Sequence, residues 1–120
     1  MTVLLRRGEQ LRTILALRDT GNSLRDPITG ESVLIIGPEA ARQLTGLSSA
    51  QLRDPVSAIG SLPGLRLLPY RAVGKEGGML LALRLQKVMI GSWQGTKTVA
   101  FAPEGLGENS EYQALTGGFS

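Results

Sequence analysis

Short apolar runs separated by glycine and proline extend along the whole chain, and this pattern restricts its fold. Sixteen of the 120 residues are glycine and six are proline, and both residue types favour turns over the interior of long helices. Hydrophobic residues make up 42% of the chain and charged residues 19%, which is typical of a globular protein. We therefore predict one mainly β domain over residues 1–120, with the tail at 105–120 disordered in part.

The apolar runs predict short strands with turns between them. These strands lie at residues 2–6, 11–17, 32–36, 65–73, 79–85, 87–90 and 98–101. A hairpin turn at residues 7–10 joins the first two, and a turn at 91–95 precedes the last. The strand at 65–73 is predicted at a sheet edge, because Pro69 has no N–H group to donate to a neighbouring strand.

One short helix is predicted at residues 38–45. Pro38 in its first turn and Gly46 just after its end are the usual boundary residues of a helix. Residues 50–53 can add one further helical turn, which Pro55 would stop.

The strand predicted at residues 11–17 leads directly into Asp19, Thr20 and Gly21, the one Asp-Thr-Gly triplet in the chain. A strand end holds a side chain rigidly, and Thr and Gly allow the backbone to turn tightly behind it. The period of two places five residues on one face of this strand: Leu11, Thr13, Leu15, Leu17 and Asp19.

The chain contains no histidine and no cysteine, and this excludes several kinds of site. Ser-His-Asp and Cys-His nucleophilic sites cannot form within it, nor can zinc sites of the Cys/His type or disulfides. We expect neither a metal nor a cofactor. Three aspartates remain as candidates for acid–base chemistry, and Asp26 and Asp54, each directly before a proline, are interpreted as turn formers.

Asp19 in this setting favours the chemistry of aspartic proteases. Two adjacent carboxylates that share one proton can activate water and protonate a carbonyl oxygen, because both cannot ionise comfortably at such close range. One triplet per chain supplies only one of them. The sequence therefore predicts a homodimer in which each copy contributes one Asp19.

The charge pattern argues against two classes of partner. The formal net charge of +3 comes from thirteen basic residues spread along the chain, and aromatic residues make up only 4%. We therefore do not expect a nucleic-acid-binding face. We expect at most a modest preference for acidic partners. No apolar stretch approaches the roughly 20 residues that cross a bilayer, so the chain as given is expected to be soluble.

Residues 16–30, which contain the triplet, and the following run at 32–36 resemble the family of sporulation sigma-E factor-processing peptidases. Residues 68–80 resemble it as well, and residues 99–103 and 111–115 match more loosely. The resemblance implies a small closed barrel similar to retroviral proteases. It also implies that Asp19 is the catalytic residue and that Thr20 and Gly21 complete its motif.

The resemblance further implies partners and a location. Family members are membrane-anchored aspartic proteases of spore-forming bacteria that remove the N-terminal pro-segment of a precursor sigma factor. A signalling protein on the forespore side would activate them, at the cytoplasmic side of the cell membrane or the sporulation septum. The N-terminal membrane region of the family is missing from this sequence.

By analogy with retroviral proteases, residues 67–85 are interpreted as a flap that closes over an extended substrate. Four residues are its candidate contacts: Tyr70, Arg71, Gly77 and Gly78. Arg71 and Lys75 either hold an acidic substrate side chain or are simply solvated, and Tyr70 serves either the flap or the core. Trp93 is interpreted as a core or dimer-packing residue.

Two alternatives to a protease were weighed. A phosphatase or P-type ATPase aspartate is rejected, because such sites need further acidic or lysine motifs on an α/β scaffold. A non-catalytic domain remains open, in which the same barrel dimerises or holds a peptide without cutting it.

Overall fold

A computed structural model of the protein describes residues 1–18, 24–70, 78–104 and 112–116. Their helices and strands follow one another as β1 (Thr2–Arg7), β2 (Gln10–Arg18), β3 (Leu34–Ile36), α1 (Pro38–Thr45), α2 (Ser49–Arg53), α3 (Pro55–Ala58), β4 (Arg66–Tyr70), β5 (Gly78–Ile90), β6 (Trp93–Phe101) and β7 (Ala114–Thr116). The predicted mainly β class is confirmed.

The strands form a closed barrel. Their hydrogen-bonded order is β1-β2-β7-β3-β6-β5-β4, and β1 also pairs with β5. Six strands thus make a complete ring, which agrees with the small closed barrel predicted from the sequence. β4 lies outside the ring and pairs with β5, so the edge position predicted from Pro69 is also confirmed.

The interior of the barrel is one apolar core. Alternate residues of the strands point into it, among them Val3, Leu5, Leu34, Ile36 and Phe101, each 0% exposed. Residues of the helices belong to the same core: Ala40, Ala41, Leu44, Leu52 and Ala58. The helical segment therefore completes the barrel's hydrophobic interior.

A second, smaller apolar cluster, here called the outer cluster, lies on the opposite face of β3, β4, β5 and β6. Ala82 and Ala100 pair across β5 and β6 and belong to this cluster together with Val33, Leu68 and Leu80. These residues are buried because the segment that precedes β3 covers them. β3 is accordingly covered on both faces, as its β-branched sequence indicated.

The helical segment differs from the prediction in one respect. α1 has the predicted bounds and begins with Pro38, and Gly46 at its end has a positive φ of 80° and donates its N–H to the carbonyl of Arg42. α2 adds the expected turn, with a capping box between Ser48 and Gln51. Pro55 ends α2 but also starts α3, because a proline at the first helical position has no hydrogen bond to lose.

β5 also differs from the prediction, since one strand replaces the two short ones expected at residues 79–85 and 87–90. A register shift between Leu85 and Val88 shows a β-bulge, which absorbs the polar residues there without ending the strand. β6 begins earlier than predicted because a turn at residues 91 and 92 joins Ile90 directly to its partner Trp93.

The face of β2 that carries the leucines is not the face that packs in the core. Ile14 and Ala16 point into the barrel, whereas Leu11, Leu15 and Leu17 are 51%, 47% and 42% exposed. The sequence correctly predicted that the side chains of this strand alternate between two faces. Because both faces carry apolar residues, this alternation does not show which face turns into the barrel.

Phe101 tests the barrel core. We expect Phe101→Ala to lower the free energy of unfolding by about 3–5 kcal/mol, because it removes a fully buried ring and leaves a cavity. Urea unfolding measures the loss. Ile28→Ala is the control, because that side chain is 77% exposed and its loss should cost less than about 0.5 kcal/mol. Equal effects would contradict this placement of the core.

Candidate functional site: the edge where β2 ends

The predicted triplet Asp19, Thr20 and Gly21 lies outside the described residues, but the strand that leads to it is described. β2 ends at Arg18 and pairs in parallel with β7, with Ala16 opposite Ala114 and Arg18 opposite Thr116. The carboxyl ends of the two strands therefore meet at one edge of the sheet. The backbone that enters the triplet comes from a hydrogen-bonded strand.

The chain is fixed again directly after the triplet. The N–H of Val33 donates to the carbonyl oxygen of Leu24 at 3.0 Å, and that of Asp26 donates to the carbonyl oxygen of Glu31 at 2.9 Å. Arg25 forms a bridge with Ser32. The described chain on either side of residues 19–23 is therefore hydrogen-bonded, at Arg18 in β2 and at Leu24 beside Val33.

The surroundings of this edge are buried. Thr116 at the end of β7 is only 5% exposed. Leu34 and Val99, which pair on the neighbouring strands β3 and β6, are 0% exposed. Such an apolar floor excludes water beneath the strand ends, which strengthens electrostatic interactions formed there.

The most deeply buried carboxylate among the described residues is that of Asp26, seven positions after Asp19. It is 0% exposed. Arg66 of β4 donates two hydrogen bonds to it, Nη1 to Oδ2 and Nη2 to Oδ1, both at 2.8 Å. The hydroxyl of Thr98 and the N–H of Ile28 donate two more. All of these donors stabilise the charged form of the carboxylate.

The expected turn role of Asp26 is confirmed, since its carbonyl oxygen accepts from the N–H of Gly30 at 2.7 Å and its side chain accepts from Ile28. Its buried ion pair was not predicted. No sequence signal could have supplied it, because Arg66 and Thr98 lie 40 and 72 positions away in the chain. The pair joins the segment that follows the triplet to β4 and β6.

These contacts hold the pKa of Asp26 well below its ordinary value. The hydrogen bonds from Arg66 are the largest cause, and those from Thr98 and Ile28 act in the same direction, while burial opposes them. A carboxylate with a lowered pKa stabilises the fold at pH values above its ordinary pKa. This stabilisation is lost as the pH falls below about 4.

Asp26→Asn tests this ion pair. We expect the substitution to lower the free energy of unfolding at neutral pH by about 3 kcal/mol, because Arg66 loses its partner in a largely buried site. Urea unfolding at a series of pH values measures it. The wild type should lose stability as the pH drops below about 4, so its advantage over the variant should shrink there.

The matched control is Asp54→Asn, since Asp54 is also followed by proline but is exposed, and its side chain makes no capping hydrogen bond to α3. Its substitution should change stability by less than about 0.5 kcal/mol. A gap between wild type and Asp26→Asn that stays constant with pH would show that the carboxylate charge does not stabilise the fold.

The strands of the predicted flap form an antiparallel hairpin. β4 and β5 pair from Arg66 opposite Ala82 to Tyr70 opposite Gly78. Tyr70 is half-buried and packs against the outer cluster. Two of the candidate contacts, Arg71 and Gly77, lie outside the described residues, as does Lys75.

Gly78 allows the ring of Tyr70 to lie across the end of this hairpin. A Cβ atom at Gly78 would stand 2.9 Å from Cε1 of Tyr70, closer than real Cβ contacts come. Glycine at position 78 lets the Tyr70 ring lie close to the backbone of β5. The φ angle of Gly78 is not positive, so backbone conformation does not require glycine there.

Gly78→Ala should therefore displace the Tyr70 ring and destabilise the hairpin by roughly 1–3 kcal/mol. Thermal unfolding measures the effect. Gly60→Ala is the control, because a Cβ there meets nothing within 4 Å. In the background of Tyr70→Ala the cost of Gly78→Ala should largely disappear, and a cost unchanged in that background would refute the contact.

Trp93 is placed as predicted with respect to the core. Its side chain is half-buried and packs against the barrel interior. Lys97 Nζ lies 5.2 Å from the ring centroid, within the range of a cation–π contact.

Two further features are absent from the described residues. They contain no group of three Asp or Glu side chains arranged to bind a metal ion. None of the described helices is long and apolar enough to cross a bilayer.

Comparison with known proteins shows the family of this chain. The family model for the sporulation factor SpoIIGA, a peptidase family, matches residues 1–117. The chain belongs to this family.

Two curated members show how much of the family's length is present. The sporulation sigma-E factor-processing peptidase of Bacillus subtilis (strain 168) is 32% identical over 93 residues, which are 69% of this chain and 30% of that protein. The protein of the same name from Priestia megaterium is 28% identical over 91 residues, with the same coverage. The chain thus spans about a third of the length of these relatives. No solved structure matches it.

Proposed function

We propose that this chain is the aspartic endopeptidase domain of a SpoIIGA family member. The observation that carries the proposal is the family match together with Asp19, Thr20 and Gly21 directly after β2. The described structure supports it by holding the chain on both sides of the triplet, at Arg18 in β2 and at Leu24 beside Val33. A catalytic carboxylate needs such a rigid support.

The catalytic unit in this proposal is a homodimer with one Asp19 from each copy. One carboxylate takes a proton from a water molecule, which attacks the carbonyl carbon of the scissile peptide. The other, protonated, donates its proton to the carbonyl oxygen. The tetrahedral intermediate then collapses. Its C–N bond breaks as the leaving nitrogen takes the proton that the first carboxylate received from water, and a hydroxyl group of the intermediate returns a proton to the second carboxylate. No covalent bond to the protein forms. Thr20 and Gly21 support the geometry of the carboxylate pair.

The β4–β5 hairpin acts as the flap over the substrate. An extended peptide bound beneath it would be shielded from water and could pair with its backbone. Tyr70 and Gly78 form the described end of the hairpin, and Arg71 and Gly77 complete the proposed contacts. The contact between the Tyr70 ring and the backbone at Gly78 gives the two strands of the proposed flap a defined conformation.

The proposed substrate is a precursor sigma factor, from which the peptidase removes the N-terminal pro-segment. Support comes from the names of the two curated relatives, each a sigma-E factor-processing peptidase. A signalling protein from the forespore side and a membrane-bound region elsewhere in the full-length protein belong to the same proposal. Tethering to a membrane would raise the local concentration of the domain and favour its dimer.

Asp19→Asn should abolish cleavage while leaving the unfolding curve unchanged. Both copies of the dimer carry the substitution, so both carboxylates of the pair are lost. The rate should fall by roughly 1,000-fold or more, because an amide can neither accept nor donate the shared proton. Incubation with a precursor sigma-E factor, followed by mass spectrometry of the products, measures the activity. Asp54→Asn is the control and should cut at the wild-type rate.

Sedimentation of the same proteins tests the dimer separately. Cleavage that depends on Asp19 and rises with dimer formation would support the proposal. A wild type that forms the dimer and binds the precursor but does not cut it would favour a non-catalytic binding domain, and full activity of Asp19→Asn would end the aspartic mechanism.

A further inference from the structure

An open, positively charged cleft of about 530 Å³ lies between the end of β1 and the middle of β5. Four of its lining residues are cationic: Arg6, Arg7, Arg84 and Lys87. Gly8, Leu85 and Gln86 complete the lining. The proposed peptidase mechanism uses none of these residues.

No carboxylate lines the cleft among the residues that the structure describes. Glu31 is the nearest described partner, with Oε2 at 3.6 Å from Nη2 of Arg84. Arg84 also donates from Nη1 to the hydroxyl of Thr98 at 3.0 Å. Arg6 donates from Nε to the carbonyl oxygen of Gly8 at 3.0 Å. Among the described residues, no ion pair joins Arg6, Arg7 or Lys87 to a carboxylate.

The positive field continues beside the cleft at Lys97. Burial is the largest cause that lowers its pKa; Glu31 raises it, and Arg84 and Arg25 lower it further. Two guanidinium groups, one of them that of the cleft residue Arg84, therefore act on the half-buried ammonium group of Lys97.

The strand register places two of the cations directly opposite each other. Arg6 of β1 faces Lys87 of β5 in the antiparallel pairing that closes the barrel. Like charges opposite each other destabilise a sheet. The pairing of Arg6 with Lys87 therefore does not stabilise the fold. A ligand that neutralises both charges would give this pair a function.

The β-bulge in β5 shapes the cleft. β5 pairs Leu85 with Lys97 and Val88 with Gly95, so Gln86 and Lys87 together lie opposite Thr96 alone. A bulge of this kind re-aims the side chains of its strand. Here both residues of the bulge, Gln86 and Lys87, line the cleft together with Arg6 and Arg7 of β1.

We propose that this cleft binds an acidic peptide segment of a partner protein. Carboxylates of that segment would lie between Arg6 and Lys87 and extend toward Arg7 and Arg84. Arginine pairs with carboxylates through two parallel hydrogen bonds, and Gln86 can bond the peptide backbone. The cleft has the volume of a site for a few residues.

The lining favours a peptide over single-stranded nucleic acid. Sites for single strands combine cations with aromatic rings on which bases stack, and none of the described residues that line this cleft is aromatic. Anionic lipid headgroups would be attracted by the same cations, and the vesicles in the experiment below test that alternative.

Binding can be measured by fluorescence anisotropy with a labelled peptide of alternating Asp and Gly, against one of alternating Asn and Gly. We expect the acidic peptide alone to bind, and to bind more weakly as salt rises. Arg6→Gln/Lys87→Gln should weaken it by roughly tenfold. Arg12→Gln/Arg53→Gln removes the same net charge elsewhere and should leave binding almost unchanged.

Thermal unfolding of the same proteins separates binding from folding. Arg6→Gln/Lys87→Gln should be as stable as the wild type or more stable, because it removes a like-charge pair. If that variant does not fold, Arg7→Gln/Lys87→Gln replaces it with the same expectation for binding.

Three results would overturn the proposal. One is that the acidic peptide does not bind, and another is that both double variants lose binding equally, which would show a general charge effect. The third is tighter binding of single-stranded DNA or of anionic phosphatidylserine vesicles with the same dependence on Arg6 and Lys87. The assay measures binding to the cleft and not cleavage, so its result is independent of Asp19.

Discussion

The pairing of β1 with β5 is the constraint on which this structure depends. β1 pairs with β2 on one side and with β5 on the other, so that six strands form a ring. Closure satisfies the backbone groups that an open sheet would leave at its edges and encloses the apolar faces in one interior. β4 lies outside the ring and pairs with β5 alone among the described strands, which agrees with the role proposed for the flap.

The closed ring also determines where chemistry can be placed. β2 and β7 run parallel and reach the same edge, and the segment from Leu24 to Val33 returns to that edge over the outer cluster. Asp26 ties this segment to Arg66 of β4 and Thr98 of β6 through a buried ion pair. In the proposed peptidase, the support of the catalytic triplet and the base of the flap are therefore joined by one carboxylate. Removing either partner of such a pair leaves an uncompensated charge.

The same network reaches the basic cleft. Thr98 accepts a hydrogen bond from Arg84 and donates one to Asp26, so a cation that lines the cleft is two hydrogen bonds from the carboxylate behind the triplet segment. Arg84 is thereby held in place before any ligand arrives, which lowers the entropic cost of binding. Arg84 of the cleft and Asp26 of the segment that follows the triplet thus belong to one chain of hydrogen bonds through Thr98.

Local signals predicted much of the fold. The bounds of α1 follow from Pro38 and Gly46, and the edge position of β4 follows from Pro69, because proline and glycine act through their own backbone. Where the prediction failed, the deciding contacts were distant. The bulge that joins two expected strands into β5 depends on pairing with β6, and the outward orientation of Leu15 depends on which face of β2 the barrel encloses. Of the candidate site, the sequence indicated Asp19, Thr20, Gly21 and the hairpin, but not the ion pair behind them.

The amino-acid sequence by itself determined the kind of chemistry open to this protein, because a chain without histidine and cysteine and with one Asp-Thr-Gly has few alternatives. It also determined that the chain forms strands, because the spacing of apolar residues and turn residues acts over short distances. Only the tertiary structure decided which charges meet. Asp26 finds Arg66 and Thr98, and Arg6 faces Lys87, through strand register and barrel closure. These are relations between residues far apart in the chain, and no local preference specifies them.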